Sequence, residues 1–298
     1  MAAKIIDGKQ VAASIREECR QRVAALKKNQ GVTPGLAVIL VGANPASAIY
    51  VSNKVRACAE VGIQSFKKEL PASLDTDSLV AEIEALSRDP AIHGILVQLP
   101  LPPHIDMRRV LSSIAAEKDV DGFHLYNVGG LVVGNTVFPP CTPYGVCKIL
   151  EFENIPVEGQ NVVVVGASNI VGKPMALMLM QREATVSICH AKTKDLAQYT
   201  ILADILVVAA GKPNLILPQM VKTGAAVIDV GINRLPNGKI AGDVDFEGVR
   251  QKASYITPVP GGVGPMTVTM LLVNTVTSAE RTAGLHPPSP VKPAVVPA

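Results

Sequence analysis

Tryptophan is absent from this 298-residue chain. Its five cysteines (Cys19, Cys58, Cys141, Cys147 and Cys189) are odd in number and show no CxxC spacing. Neither a disulfide framework nor a zinc knuckle is indicated, so reduced thiols in a cytosol are expected. The charge surplus is only +3, too weak to indicate nucleic acid by itself. It would suit a small acidic ligand, with any local patch mattering more than the total. Long apolar runs are missing too. The longest helical candidate, GPMTVTMLLVNTVTSAE, is interrupted by Thr and Asn and is too short for a bilayer. The amino terminus, MAAKIIDGKQ, places Lys4 and Asp7 where a signal peptide needs an apolar run. A soluble, cytoplasmic protein without a membrane partner is the expectation. What remains is an ordinary globular composition, 48% hydrophobic and 18% charged, at a length that favours two domains.

Apolar, β-branched runs alternate with amphipathic stretches. GLAVILVG (35 to 42), IQSFKKEL (63 to 70) and IHGILVQLP (92 to 100) read as strands, with helices over 9 to 29, 45 to 61 and 75 to 88. NVVVVGAS, TVSICH, ADILVVAAG and GAAVIDVG read as further strands, with a helix over 172 to 182. Runs that are apolar throughout and separated by helices imply parallel sheets covered on both faces, an α/β fold. Residues 119 to 143 break the rhythm with Gly, Pro and Asn, and a domain border is expected there. The apolar helix beginning at Pro265 is expected to return to the first domain. The tail HPPSPVKPAVVPA is proline-rich, with the composition of a disordered segment.

Three regions carry candidate chemistry. In NPASAIYVSNKVRACAEVG, Asn44 suits a helix N-cap and Pro45 the first helical position. At about 100° per residue, Val51, Val55, Cys58 and Ala59 form a core stripe, with Ser47, Tyr50 and Lys54 at its edge. Tyr50 and Lys54 could simply bury their stems and keep their tips in water. Gln98 closes an apolar strand ahead of Pro100, Pro102 and Pro103, so it belongs at a carboxyl strand end, where open α/β sheets bind ligands. A buried glutamine needs partners, and a lysine ammonium is a suitable donor. In KDVDGFH, Asp119 and Asp121 share a turn with His124. A metal site is conceivable there, but the acids lack a ligand cluster. Asp121 accepting hydrogen bonds from a heterocyclic amine is the better functional reading.

VVVVGASNIVGKPMAL is a strand, a tight turn and a helix, with Gly166 and Gly172 as its glycines. It does not match GxGxxG or the phosphate loop of nucleotide triphosphatases. It does supply a strand end, small residues and a helix N-terminus with N–H groups for an anion. A tight βα connection would look similar, but the repeated strand–helix context favours a dinucleotide site. The following strand ends in ICHAKTKDL, with Lys192, Thr193 and Lys194 before the first acid, Asp195. A carboxylate that would repel a 2′-phosphate is missing, and cations are present, so NADP is favoured over NAD. The lysines could equally solvate a loop.

The blocks YVSNK, GILVQLPLP, DVDGFH, PCTP, GASNIVGKPMA, VIDVGINR and YITPVPGGVGPMT, in this order, resemble the bifunctional methylenetetrahydrofolate dehydrogenase/methenyltetrahydrofolate cyclohydrolase family over about residues 3 to 282. The resemblance implies NADP-dependent oxidation of 5,10-methylenetetrahydrofolate and hydrolysis of the methenyl product to 10-formyltetrahydrofolate, within one-carbon metabolism. It implies Lys54 as general acid/base, Gln98 tuning and orienting it, Tyr50 positioning the folate and Asp121 anchoring the pterin. The backbone around Pro260, Gly261 and Gly264 would close over the substrate. Gly166, Ala167, Ser168 and Ile232 would contact NADP, together with Ala191, Lys192 and Thr193. Some members carry Arg where this chain has Ala167, or Ser or Arg where it has Ala191. Here the 2′-phosphate contact falls to Lys192 and its neighbours. No metal is implied. The fold expected is two α/β domains, each a mostly parallel sheet with flanking helices, the second Rossmann-like, with an active-site cleft between them. Residues 1–139 and 265–284 would form the folate domain, 140–264 the NADP domain and 285–298 the tail. Tetrahydrofolate derivatives, polyglutamylated forms included, are the expected ligands, with a homodimer as the assembly.

The chemistry suits these parts. Oxidation needs a nicotinamide face held against the bridging carbon, which is a matter of positioning. Hydrolysis of the methenyl cation needs a proton acceptor and then a donor. An ammonium partly buried beside a cationic substrate gives up its proton more readily than one in water. Two other readings compete with this one. A shikimate-dehydrogenase-like oxidoreductase would not need PGGVGPMT together with QLPLP. A non-catalytic NADP-binding regulator would be expected to lack Lys54, Gln98 or Asp121, and all three are present.

Overall fold

The computed structural model describes residues 2–285. In chain order its elements begin with β1 (Lys4–Ile5), α1 (Gly8–Gln30), β2 (Gly35–Val41), α2 (Pro45–Val61), β3 (Gln64–Leu70), α3 (Thr76–Arg88) and β4 (Gly94–Val97). Helices α4 (Met107–Ser113), α5 (Leu125–Val133) and α6 (Cys141–Phe152) follow. Next come β5 (Asn161–Val165), α7 (Gly172–Met180), β6 (Thr185–Cys189), α8 (Leu196–Thr200), β7 (Ile205–Val208) and β8 (Ala226–Asp229). A short hairpin of β9 (Asn233–Arg234) and β10 (Ile240–Ala241), then α9 (Phe246–Arg250), β11 (Tyr255–Ile256) and α10 (Val263–Thr282), complete the order. The chain divides into two compact units.

One unit comprises residues 14–139 and 268–285. Its sheet has the order β3-β2-β4, all parallel. Central β2 is buried at all seven positions, as a parallel strand covered on both faces must be. Ala37, Ile39 and Val41 pack with Leu79 and Ile83 of α3 and with Ile95 and Val97 of β4. Asp75 caps α3 by accepting from the Ser78 N–H at 2.7 Å. Leu79, Ile83 and Leu86 recur at helical spacing and are buried. Helix α10 is tied to α1 by Arg22, which donates to both Glu280 oxygens and to Thr277 Oγ1.

Helix α2 differs from its expected face. Asn44 does cap it, accepting from the Ser47 N–H at 3.2 Å. Yet Ala59 is exposed and Val55 only half-buried. The buried seam is Ser47, Val51, Cys58 and Val61, and Lys54 falls in step with it at alternating spacings of four and three. Ser47 is therefore core, at 3% exposure, while Tyr50 lies off the seam at 43%.

The other unit comprises residues 2–13 and 140–267. Its six-stranded sheet runs β6-β5-β7-β8-β11-β1, parallel throughout. Chain order reverses between β5 and β7, the arrangement of a doubly wound, Rossmann-like sheet. Residues 2–13 belong here, not with 14–139 as the sequence suggested, because β1 pairs with β11 at Lys4↔Tyr255 and Ile5↔Ile256. The border at 139/140 falls inside the stretch expected to be irregular, but that stretch also contains α5. His124 caps α5, its Nδ1 accepting from the Tyr126 N–H, and Gly134 ends it at φ 75°. The helix expected from Pro265 starts at Val263, and its residues from 268 onward group with 14–139. The proline-rich stretch 286–298 lies outside the described residues.

Candidate active site

The residues expected to handle folate chemistry start at the β2–β4 edge. The Gln98 N–H extends the ladder by donating to Ile39 O at 2.9 Å. Its side-chain Nε2 donates to Leu99 O at 2.7 Å, which leaves Oε1 to accept from Lys54 Nζ at 3.1 Å. The structure thus joins the two polar side chains singled out on separate elements. A lysine in register with a buried seam keeps its stem packed, and the amide oxygen satisfies one of its three donors. Cys58, one turn along the same seam, is buried. Burial pushes its thiol up to about 12 against an opposing pull from the Lys54 charge, so it stays protonated at neutral pH. Lys54 is then the group on this helix face suited to moving protons.

Asp121 is half-buried in the turn before α5. That turn is built by its neighbour Asp119, a residue whose structural part was not legible in the sequence. Asp119 is 1% exposed, and its Oδ2 accepts from the His124 N–H and from Asn127 Nδ2, both at 2.8 Å. Burial raises its pKa, while these hydrogen bonds pull it back down. Asn274 of α10 adds a second clamp, donating to Val120 O at 2.8 Å and to Pro139 O at 3.1 Å. Tyr50 sits one helical turn before Lys54 with its ring accessible. Among the described residues no group of three His, Cys, Asp or Glu side chains could hold a metal ion.

The cofactor candidates lie on the other unit, at the carboxyl ends of its strands. Gly166 follows β5 with φ 129°, and a Cβ there would come within 2.2 Å of Ala209 O, beyond the end of β7. Only glycine fits this approach, which falls where the sheet order reverses. A Cβ on Gly172 would in turn meet Gly166 O at 2.0 Å. Ser168 Oγ accepts from the Val171 and Gly172 N–H groups, holding the entry to α7 and leaving its own proton free to donate. Ala167 is half-buried, whereas Ile232 is exposed. This cradle of small residues at a strand-to-helix turn fits a dinucleotide pyrophosphate.

After β6, the turn is closed by Thr193, whose Oγ1 accepts from the His190 N–H at 2.8 Å. Thr193 is therefore partly committed to the loop. Ala191, Lys192 and Lys194 are exposed, and neither lysine is ion-paired among the described residues. The first acid, Asp195, accepts from Gln198 Nε2 at the start of α8. Pro260 and Gly261 belong to a glycine-rich turn after β11, and Gly264 lies in the first turn of α10. Gly261 has φ 110°, the Gly262 N–H donates to Pro258 O, and a Cβ on Gly8 would strike Gly262 O at 1.8 Å.

Two buried acids near the same sheet edge went unnoticed as individual residues in the sequence. Asp229 ends β8 and Asp243 follows β10, at 3% and 0% exposure. The available signal was an acid closing an otherwise apolar strand, VID.

Comparison with known proteins likewise divides the chain into two parts. Residues 6–121 match the family model described as tetrahydrofolate dehydrogenase/cyclohydrolase, catalytic domain, and residues 140–283 match its NAD(P)-binding domain. The bifunctional protein FolD of Nitrosospira multiformis is 63% identical over 281 residues, covering 94% of this chain and 97% of that protein. The crystal structure of the bifunctional FolD methylenetetrahydrofolate dehydrogenase/cyclohydrolase of Campylobacter jejuni is 55% identical, with a TM-score of 0.92 over 94% of this chain and 99% of that one. The Trypanosoma brucei enzyme complexed with NADP and an inhibitor is 42% identical, with a TM-score of 0.90 over 94% and 98% of the two chains. The chain belongs to the tetrahydrofolate dehydrogenase/cyclohydrolase family.

Proposed function

We propose that this protein oxidises 5,10-methylenetetrahydrofolate with NADP and hydrolyses the resulting 5,10-methenyl cation to 10-formyltetrahydrofolate. The observation that carries the residue assignment is the Lys54–Gln98 contact, a polar pair held in register with an apolar seam. Bound NADP supplies the hydride acceptor for the first step. In the second, water adds to the methenyl carbon as the Lys54 amine takes its proton. The ammonium returns a proton to the ring nitrogen as its bond to that carbon breaks, and one proton is released overall. Gln98 orients Lys54 throughout, since its Oε1 is fixed by the Nε2 contact to Leu99 O. Tyr50 positions the folate, Asp121 accepts from the pterin, and the backbone of Pro260, Gly261 and Gly264 adds to substrate binding.

For the cofactor, Gly166, Ala167 and Ser168 receive the pyrophosphate side and Ile232 packs on it. Ala191 leaves room, Lys192 supplies positive charge for the 2′-phosphate, and Thr193 shapes the loop. The substrates are tetrahydrofolate derivatives, including polyglutamylated forms, and the working state is a cytoplasmic homodimer. A difference spectrum recorded on methylenetetrahydrofolate, with NADP and NAD in parallel, should show methenyl formation followed by its decay. Absence of either phase would refute the bifunctional reading.

A further inference from the structure

Asp229 and Asp243 form a connected pair that the reaction as described does not use. Asp243 Oδ2 accepts from the Ala210 N–H at 2.6 Å and the Gly211 N–H at 2.9 Å. Its Oδ1 accepts from the Lys212 N–H at 2.9 Å and from Asn233 Nδ2 at 2.8 Å. One carboxylate thus gathers three successive amides of the turn after β7 and the first residue of the β9–β10 hairpin. Asp229 holds the holder. Its Oδ1 accepts from the Gly231 and Asp243 N–H groups and its Oδ2 from the Val244 N–H, at 2.9 to 3.0 Å. The Asp229 N–H donates to Thr257 Oγ1 at 2.7 Å, which extends the network to the end of β11.

The space around the pair is shaped for it. A Cβ on Gly231 would lie 2.4 Å from Asp243 Oδ1, and one on Gly242 would lie 1.9 Å from Asp229 Oδ2. Burial raises the Asp229 carboxyl to about 6, and the neighbouring Asp243 charge adds to the push. Two buried acids side by side are a poor device for stability alone, since apolar side chains of similar size would hold a core as well or better. What the pair does fix is position. The turn held by Asp243 begins at Ala210, directly after the Ala209 carbonyl that packs on Gly166. The hairpin it holds begins directly after Ile232.

We propose that Asp243, itself seated by Asp229, is a positioning residue that aligns the 209–212 turn and the Ile232 corner for the dinucleotide. The inference rests on the cofactor assignment above. Replacing Asp243 by Asn presents an NH₂ group to N–H donors on one side, so two of its four hydrogen bonds are lost or reversed. In Asp243→Asn, KM for NADP should rise at least tenfold, and the ratio of dehydrogenase to cyclohydrolase activity should fall at least tenfold. Hydrolysis of methenyltetrahydrofolate consumes no dinucleotide and serves as the internal reference. Asn233→Ala, which removes one donor from a half-buried side chain, should raise the same KM by a smaller factor and covers the case in which Asp243→Asn does not fold. Equal loss of both activities in a soluble variant, or an unchanged KM in Asn233→Ala, would overturn the proposal. A parent enzyme lacking either activity would instead overturn the function on which the inference rests.

Discussion

Lys54 Nζ lies 3.1 Å from Gln98 Oε1, and the lysine stands in step with Ser47, Val51, Cys58 and Val61 along the buried seam of α2. A leucine at that register would pack without any partner. The lysine there needs an acceptor, and the strand end of β4 provides one. Gln98→Met, which keeps side-chain volume and removes the acceptor, should lower cyclohydrolase turnover at least tenfold. It should also lower stability by about 0.5–1.5 kcal/mol, the net worth of one hydrogen bond between two half-buried side chains. Steady-state hydrolysis and urea unfolding on the same preparation measure both effects. An unaltered rate would mean that Gln98 does not orient Lys54.

Gly166→Ala should impair the cofactor side. The residue sits at φ 129°, and the added methyl would approach Ala209 O to 2.2 Å. Backbone strain of this kind costs roughly 1–3 kcal/mol before the clash is counted. NADP titration should show affinity weakened at least tenfold, together with a lowered Tm, while methenyl hydrolysis persists. Parental NADP affinity would place the dinucleotide elsewhere.

How far the sequence could be read follows from these residues. Strands such as GLAVILV and NVVVV and their intervening helices were legible because apolar runs and helical periodicity are local properties. Strand β1 was not, because two residues carry no pattern and its place depends on pairing with β11, some 250 residues away. Helix α5 was hidden by Gly129 and Gly130, and a Cβ on Gly130 would strike Asn135 O at 2.7 Å. Lys54, Gln98 and Asp121 could be singled out by type and place. That Lys54 lies on the buried seam, beside Ser47, depends on how α2 packs. The Asp229–Asp243 network joins five separate chain segments, so no single window of sequence displays it.

Two buried groups should give stability opposing dependences on pH. His93 Nδ1 accepts from the Gly35 N–H at 3.0 Å, and burial, aided by the Lys118 charge, lowers its pKa. The unfolded chain then binds the proton more readily, so this contribution is present above about pH 6.5 and is lost as pH falls. Asp229 has the opposite sign. Its pKa is raised from 3.8 to about 6, so its contribution is full below 3.8 and is lost as pH rises through about 6. Urea unfolding at pH 5 and 7.5 should show His93→Asn losing less stability on acidification than the parent. Asp229→Asn should lose less than the parent as pH rises between the same values. Variants with the parental slope would assign the dependence to other groups.

Cofactor choice should respond to the loop after β6. Lys192→Ala should reduce the ratio of kcat/KM for NADP over NAD at low salt, by a modest factor because the lysine is exposed. The parental ratio should itself shrink as ionic strength rises. Ala191→Asp should reduce it further, since a carboxylate there repels the 2′-phosphate and can accept from a ribose hydroxyl. A parent that already favours NAD, or a ratio unmoved by both substitutions, would contradict this account of the loop.

Hydrolysis of methenyltetrahydrofolate by Lys54→Met tests the central claim most directly. Methionine keeps an apolar stem of similar length on the α2 seam, so circular dichroism and Tm should stay near the parental values. Removing the proposed proton carrier should cut the hydrolytic rate by at least ~10²-fold, the lower range for a general acid/base. Dehydrogenase turnover should fall as well, through lost positioning. A folded Lys54→Met protein that hydrolyses methenyltetrahydrofolate at the parental rate would contradict the assignment of Lys54 as the catalytic acid/base.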